Sequence, residues 1–238
     1  MSDIKYTSEL TVTLEQQAGD DDFVVQTARV STGLDQVAYA LANTGKIKGL
    51  INYLMKKRHG SPFEHNIFTF RIEAPIFVAR EAMRHRIASY NEVSGRYVQL
   101  EPKFYIYPDE RPMKQQGSSA HPELVSHEDS EHHERSNARK RRVHDLAWEM
   151  YQEDIADGTA LEAARDVLGV GIFTTWYVSM NARGLMNFLS LRVDAEGNAF
   201  ETKPQYEIQV IAEQMSAFFA EAMPLTYAAF EKNGRVAP

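Results

Sequence analysis

Between Ile67 and Met83 the hydrophobic period of the chain changes from two to three-and-four, and that change restricts the fold more than any other feature. In Ile67-Phe68-Thr69-Phe70-Arg71-Ile72-Glu73, the residues Phe68, Phe70 and Ile72 fall on one face and Thr69, Arg71 and Glu73 on the other. That is the pattern of a strand with one face in a core. Pro75 then suits the first position of a helix on which Ile76, Ala79 and Met83 recur at three- and four-residue steps. This helix carries Arg84, His85 and Arg86 to its C-terminal end.

Both periods recur elsewhere. Leu10 to Leu14 alternates apolar residues with Thr, as in a half-buried strand, and Asp22 is placed to cap a helix from Phe23 to Val30. Ile47, Leu50, Ile51 and Leu54 lie at helical spacing, with Lys56, Lys57 and Arg58 in the last turn and Gly60 as the stop. Helices are expected over Asn137 to Asp157, stopped by Gly158, and over Leu161 to Leu168. Phe173 to Met180 reads as a strand leading to Asn181, a good N-cap for a helix bearing Leu185, Phe188, Leu189 and Arg192. A longer helix follows with Ile208, Ile211, Met215, Phe218 and Phe219 inward, and Pro224 closes that run.

Several helices and a few separated strands define an α+β (mixed α/β) fold, a small central sheet packed by helices. At 238 residues the chain suits one catalytic domain, 1–238. Residues 101–136 hold Pro102, Pro108, Pro112, Gly117 and Pro122 among polar and charged residues, which predicts a long surface insertion poor in regular structure.

The chain has no cysteine, which excludes disulfides, thiolate metal sites and any mechanism with a Cys nucleophile. The start MSDIKYTSEL is polar, and no stretch approaches the roughly 18 apolar residues of a membrane span. A cytoplasmic protein without membrane partners is the expectation. With Lys+Arg 26 against Asp+Glu 33, the net charge of −7 opposes general adhesion to nucleic acid.

Locally that balance reverses. Between Arg80 and Tyr97, Arg80, Arg84, Arg86 and Arg96 outnumber Glu81 and Glu92, with His85 in addition. The run from Arg84 to Tyr97 also holds hydroxyls and an amide, and almost no large aliphatic residue beyond Ile87 and Val93. Such a donor-rich segment matches a phosphate dianion, whose oxygens the planar Arg fork engages in pairs. In Ser94-Gly95-Arg96 the glycine permits backbone conformations in which successive N–H groups converge on an anion. Arginines at a helix end also serve as carbonyl caps or surface ion pairs, and composition alone weighs the two readings evenly. An RNA- or DNA-binding module with Tyr90 and Tyr97 as stacking platforms is the alternative in another class, and the net charge opposes it.

Arg84-His85-Arg86 followed by Ser94, within Glu92-x-Ser94-Gly95-Arg96-Tyr97, resembles the signature of flavin-dependent thymidylate synthases. The resemblance extends to Ala28-Arg29-Val30-Ser31, to His59-Gly60-Ser61-Pro62-Phe63-Glu64-His65 and to Pro75-Ile76-Phe77-Val78-Ala79-Arg80. It returns in the segment from Asn181 and Arg183 to Asn187 and Leu189. What it implies is a homotetramer with active sites at subunit interfaces, using FAD, dUMP, methylenetetrahydrofolate and NADPH. By position, it puts His59, Ser61, Glu64, Arg84, His85, Arg86, Glu92, Asn181, Arg183 and Asn187 at the flavin. Likewise it puts Arg84, Glu92, Val93, Ser94, Gly95, Arg96, Arg165 and Arg192 at dUMP.

The chain departs from that pattern twice. Glu81 stands where the family usually has Gln, and a carboxylate there repels phosphate unless it is paired, so no direct nucleotide contact is assigned to it. After Arg192, where the family continues into a segment with a His, this chain runs from Asp194 to Pro204 without one.

Methylating C5 of a pyrimidine requires C5 to be nucleophilic. Without a thiolate to add at C6, the resemblance implies hydride addition there instead, leaving negative charge on the ring. Arg192 is the candidate to stabilise that charge, although an Arg near a helix end also caps its own helix. Ser94 has no base beside it in sequence and is assigned to hydrogen bonding, not to nucleophilic attack. Gly169-Val170-Gly171 follows a helical run and precedes a strand, the reverse of a dinucleotide fingerprint. No metal is assigned to His127, His132 and His133, which lie among charged residues, and Arg139 to Arg142 is taken as a solvated helix face.

Overall fold

The computed structural model describes residues 4–118, 121–129 and 131–238. In chain order its elements are β1 (Lys5–Thr7), β2 (Thr11–Ala18), α1 (Asp21–Arg29), α2 (Leu34–Leu41), α3 (Thr44–Lys56) and β3 (Ile67–Pro75). Next come α4 (Ile76–Ala82), β4 (Ser89–Glu92), β5 (Lys103–Tyr105), β6 (Lys114–Ser118), β7 (His121–Val125) and α5 (His132–Ala156). The chain ends through α6 (Leu161–Ala164), β8 (Phe173–Asn181), α7 (Ala182–Arg192), α8 (Tyr206–Ala222) and α9 (Pro224–Lys232). The architecture is mixed α+β, with small sheets among helices. The chain forms two compact units, one of residues up to Glu9, Glu73–Arg80 and Glu92–Thr175, the other of Leu10–Ile72, Glu81–Asn91 and Trp176–Pro238.

In the unit built on residues 10–72, 81–91 and 176–238, β3 and β8 are the central strands of a sheet ordered β2-β3-β8-β4. Phe68, Phe70 and Ile72 are buried as their alternation predicts, and Trp176, Val178 and Met180 do the same on β8. The helix α8 answers with Ile208, Ile211, Met215 and Phe219, and the rings of Phe68 and Phe219 meet edge to face at 5.7 Å. Thr69 and Ser179, on neighbouring strands, join hydroxyls at 2.8 Å.

Helix boundaries differ from the sequence expectation at α1, α3 and α4. The cap of α1 is Asp20, not Asp22, because the capping oxygen must reach an N–H three residues on, and Asp20 accepts from Phe23 N at 2.8 Å. Its neighbour Asp21 is buried and accepts from Leu225 N, Thr226 N and Thr226 Oγ1, which ties α1 to the start of α9. Helix α3 ends not on Gly60 but at Lys56, with Lys57 as its C-cap, and Arg58 takes the left-handed conformation with φ 59. The guanidinium of Arg58 donates to Val236 O at 2.7 Å, a contact that offsets the backbone cost. Gly60 serves another purpose, since a Cβ there would lie 2.4 Å from Arg183 Nε. Pro75 closes β3 instead of opening α4, one residue from the expected place.

The unit containing residues 92–175 corrects the reading of 101–136. Lys103–Tyr105 forms β5, paired in parallel with β1 so that Tyr6 opposes Phe104, and Lys114–Ser118 and His121–Val125 form an antiparallel pair. Phe104 and Tyr105 are fully buried. Phe104 packs with Trp148, Tyr151, Ala164 and Ile172 in a cluster to which Tyr6, Ile76 and Leu100 add partly buried faces. Proline density pointed to irregular structure, but Lys103–Tyr105 lies between Pro102 and Pro108, so no proline interrupts the short ladder. Helix α5 also starts at His132, five residues before the expected Asn137. Buried Asn137 instead clasps the backbone of Tyr107, accepting from its N and donating to its O, both at 2.9 Å.

Candidate active site

The Arg-rich segment follows α4 as a tight turn rather than as more helix, with Arg84 N bonded to Glu81 O and His85 N to Ala82 O. Tyr90 pins this turn: its hydroxyl lies 2.9 Å from Ala82 O and 3.0 Å from His85 O. Burial raises the Tyr90 hydroxyl pKa to about 12, so it stays a donor. Arg84 and Arg86 are exposed and, among the described residues, pair with no carboxylate. That argues against the reading of these two as ordinary surface ion pairs.

Arg192, in the last turn of α7, reaches the same turn. Its Nη1 lies 2.8 Å from Glu81 Oε1, with both side chains 20% exposed, and its Nε donates to His85 Nε2 at 3.1 Å. The side chain therefore does not cap its own helix, the other role its position allowed. The ring of His85 also meets Phe188 edge-on at 4.7 Å. Burial first, and the Arg192 charge second, push the His85 pKa from 6.5 down to about 4. A neutral ring is required for Nε2 to accept from Arg192.

The sign of the resulting pH dependence follows directly. An unfolded chain binds a proton at His85 near pH 6.5, whereas the folded chain does so only near pH 4. The His85 contribution to folding stability is thus fully present above pH 6.5, is lost as pH falls towards 4, and changes no further below it. Urea unfolding midpoints measured across that window are expected to fall with pH, and the fall attributable to this site should vanish in His85→Asn. An unchanged pH slope in the variant would contradict the assignment.

The remaining positions of the flavin set lie in the same unit, apart from Glu92. Arg183, in the first turn of α7, holds Glu64 through Nη1 and Pro238 O through Nε, each at 2.5 Å. Asn181 Oδ1 caps α7 by accepting from Gly184 N at 2.8 Å, and Asn187 is exposed. His59 is exposed, its ring edge-on to Tyr53 at 5.8 Å, and Ser61 opens a short 3-10 turn to Glu64.

In the other unit, Glu92, Val93, Ser94, Gly95, Arg96 and Arg165 line one cavity of ≈ 570 Å³. The chain reaches it by a turn in which Tyr97 N and Val98 N bond back to Ser94 O, while Arg96 N donates to Ser94 Oγ at 3.3 Å. Gly95 does not adopt a left-handed conformation, which corrects the reason given for it from the sequence. Its value is close approach: a Cβ would sit 3.1 Å from Arg165 Cδ. Two further residues of this cavity carry no sequence signal, being far away along the chain. Glu162 pairs with Arg96 Nε at 2.8 Å, with the two side chains 55% and 51% exposed, so the pair contributes little stability. Thr174, on β8, donates to Glu92 Oε1 at 2.9 Å and so fixes that carboxylate at the rim.

The cavity brings Arg96 and Arg165 together with Glu92, Glu162 and Asp166 in an α+β protein; comparison with known proteins specifies the class further. Residues 13–225 match the family model described as thymidylate synthase complementing protein. The chain is 47% identical over 235 residues to a flavin-dependent thymidylate synthase of Streptomyces avermitilis, covering 98% of this chain and 95% of the relative. It is 46% identical to one from Tropheryma whipplei, covering 98% and 97%. Among solved structures, a UMP/dUMP methylase PolB from Streptomyces cacaoi bound with 5-Br UMP superposes with a TM-score of 0.91 at 41% identity, over 99% of each chain. The chain belongs to the flavin-dependent thymidylate synthase family.

Among the described residues, no helix is long and apolar enough to cross a membrane, and no group of three or more His, Asp or Glu is gathered as for a metal ion. His127 and His132 stack at 3.8 Å, while His133 Nε2 turns instead to Arg111 O at 2.9 Å.

Proposed function

We propose that this chain is an FAD-dependent methyltransferase that converts dUMP to dTMP, with methylenetetrahydrofolate as carbon donor and NADPH as reductant. The observation that carries the reading is the ≈ 570 Å³ cavity at which Arg96 and Arg165, distant in sequence, converge on the Ser94-Gly95 turn. Its donors suit a nucleotide 5′-phosphate, to which a displaced Glu162 would yield Arg96. Relatives named for this chemistry, and a solved methylase bound to a pyrimidine nucleotide analogue, support the same assignment.

The residues present fit a flavin. Arg84 and Arg86, exposed and paired with no carboxylate among the described residues, offer guanidiniums of the kind a pyrophosphate takes up, and Asn187 presents an exposed amide. When bound, a flavin would supply reducing power as hydride, chemistry that would serve a chain without a cysteine nucleophile. Glu92, held by Thr174, and Val93 border the nucleotide. Arg192 meets the negative charge that develops on the ring. The chain acts as a single catalytic domain, residues 1–238, assembled as a cytoplasmic homotetramer with active sites at subunit interfaces.

The test is direct. Purified protein is expected to show visible flavin absorbance, perturbed on adding dUMP, and to form dTMP when all co-substrates are supplied. A protein that takes up no flavin at high FAD, or that turns over none of the dUMP, overturns the reading.

A further inference from the structure

We propose that Glu81 is a positioning residue for Arg192: its carboxylate, together with the His85 ring, holds two edges of the guanidinium and leaves the Nη2 edge for the ligand. The inference rests on the reading of Arg192 as the group that meets charge on the pyrimidine. Arginine presents five donors in a rigid plane, so fixing Nε and Nη1 fixes the direction of Nη2. Here Nε donates to His85 Nε2 and Nη1 pairs with Glu81 Oε1, while no partner of Nη2 is found among the described residues.

The holders are themselves held. Glu81 and His85 flank a turn closed by two backbone hydrogen bonds and by the Tyr90 hydroxyl, and Phe188 bears on the edge of the His85 ring. At 20% exposure on each side, the Glu81–Arg192 pair is shielded from water and salt more than the open Arg96–Glu162 pair is. A carboxylate in that place keeps a long, flexible side chain in one arrangement before any ligand arrives, and preorganised donors are the ones that accelerate chemistry. The departure at position 81, which from sequence alone looked like an obstacle to phosphate, thus serves a different group.

The experiment is a double-mutant cycle on the FAD-loaded enzyme, comparing Glu81→Ala, Arg192→Ala and the combination by kcat, KM for dUMP and melting temperature. Glu81→Ala is expected to lower kcat about tenfold with a smaller change in KM, the effect of a misaimed group. In the Arg192→Ala background the same change should have no further effect on kcat. Glu81→Gln, which is isosteric and keeps an acceptor, should restore kcat to within about threefold of wild type and keeps the cycle readable if Glu81→Ala does not fold. Equal losses in both backgrounds, or no loss in either, overturn the positioning role while leaving the role of Arg192 intact. An Arg192→Ala enzyme with wild-type kcat overturns both.

Discussion

Arg192→Ala is expected to lower the rate of dTMP formation about a hundredfold, a loss of roughly 3 kcal/mol of transition-state stabilisation. The size follows from what the side chain offers. It is a guanidinium already aimed by Glu81 and His85, so no ordering remains to be done as charge develops on the ring. An interaction that strengthens only as the charge appears affects kcat more than KM, and that split is the signature to measure. Arg192→Lys keeps a positive charge but loses the fork that engages Glu81, His85 and ligand at once, so it should recover only part of the rate. The check is product formation at saturating co-substrates, alongside a melting curve to show an intact fold. A kcat within about threefold of wild type would remove Arg192 from the chemistry.

The second large effect concerns stability. Phe104→Ala is expected to destabilise the protein by about 3–5 kcal/mol, the usual cost of emptying a fully buried aromatic site. Phe104 stacks on His144 at 4.5 Å and meets Trp148 edge-on at 6.3 Å, and its backbone is paired with Tyr6 across β1 and β5. The loss therefore includes both transfer energy and a cavity that a sheet-anchored position cannot collapse. Urea denaturation at neutral pH would measure it. A substitution in a solvated loop changes stability by no more than about 0.5 kcal/mol, so a small result would restore the view of this segment as a surface appendage.

Much of the fold could be read from periodicity. The alternation in Ile67–Glu73 and the three-and-four spacing in Tyr206–Ala222 arise from the geometry of strand and helix, and each buried the face that its apolar residues marked. Asn181 was legible as a cap for the same local reason, since a cap depends on an oxygen and an N–H three residues away. The boundaries were less legible. Asp20, Asp21 and Asp22 look alike in sequence, and only the contact of Asp21 with Thr226 and of Asp20 with Phe23 tells them apart. Arg58 and Gly60 exchanged their expected parts because the C-terminal carbonyls and Arg183, both remote along the chain, decide what each position must accommodate.

The candidate site divides in the same way. Local sequence determined that a donor-rich segment follows the apolar residues of α4, that Ser94, Gly95 and Arg96 lie together, and that no thiolate is present to serve the chemistry, while it extended the helix through Arg86 where the structure has a turn. Composition and spacing are properties of neighbours in the chain, and they were enough for that. Tertiary structure alone decided that Arg165 and Glu162 meet Arg96 around one cavity, that Thr174 holds Glu92, and that Glu81 takes Arg192 as its partner. The Glu81–Arg192 pair spans more than a hundred residues, and no periodic rule links positions so far apart. Charge at such a position has a meaning only once folding has set what stands opposite it.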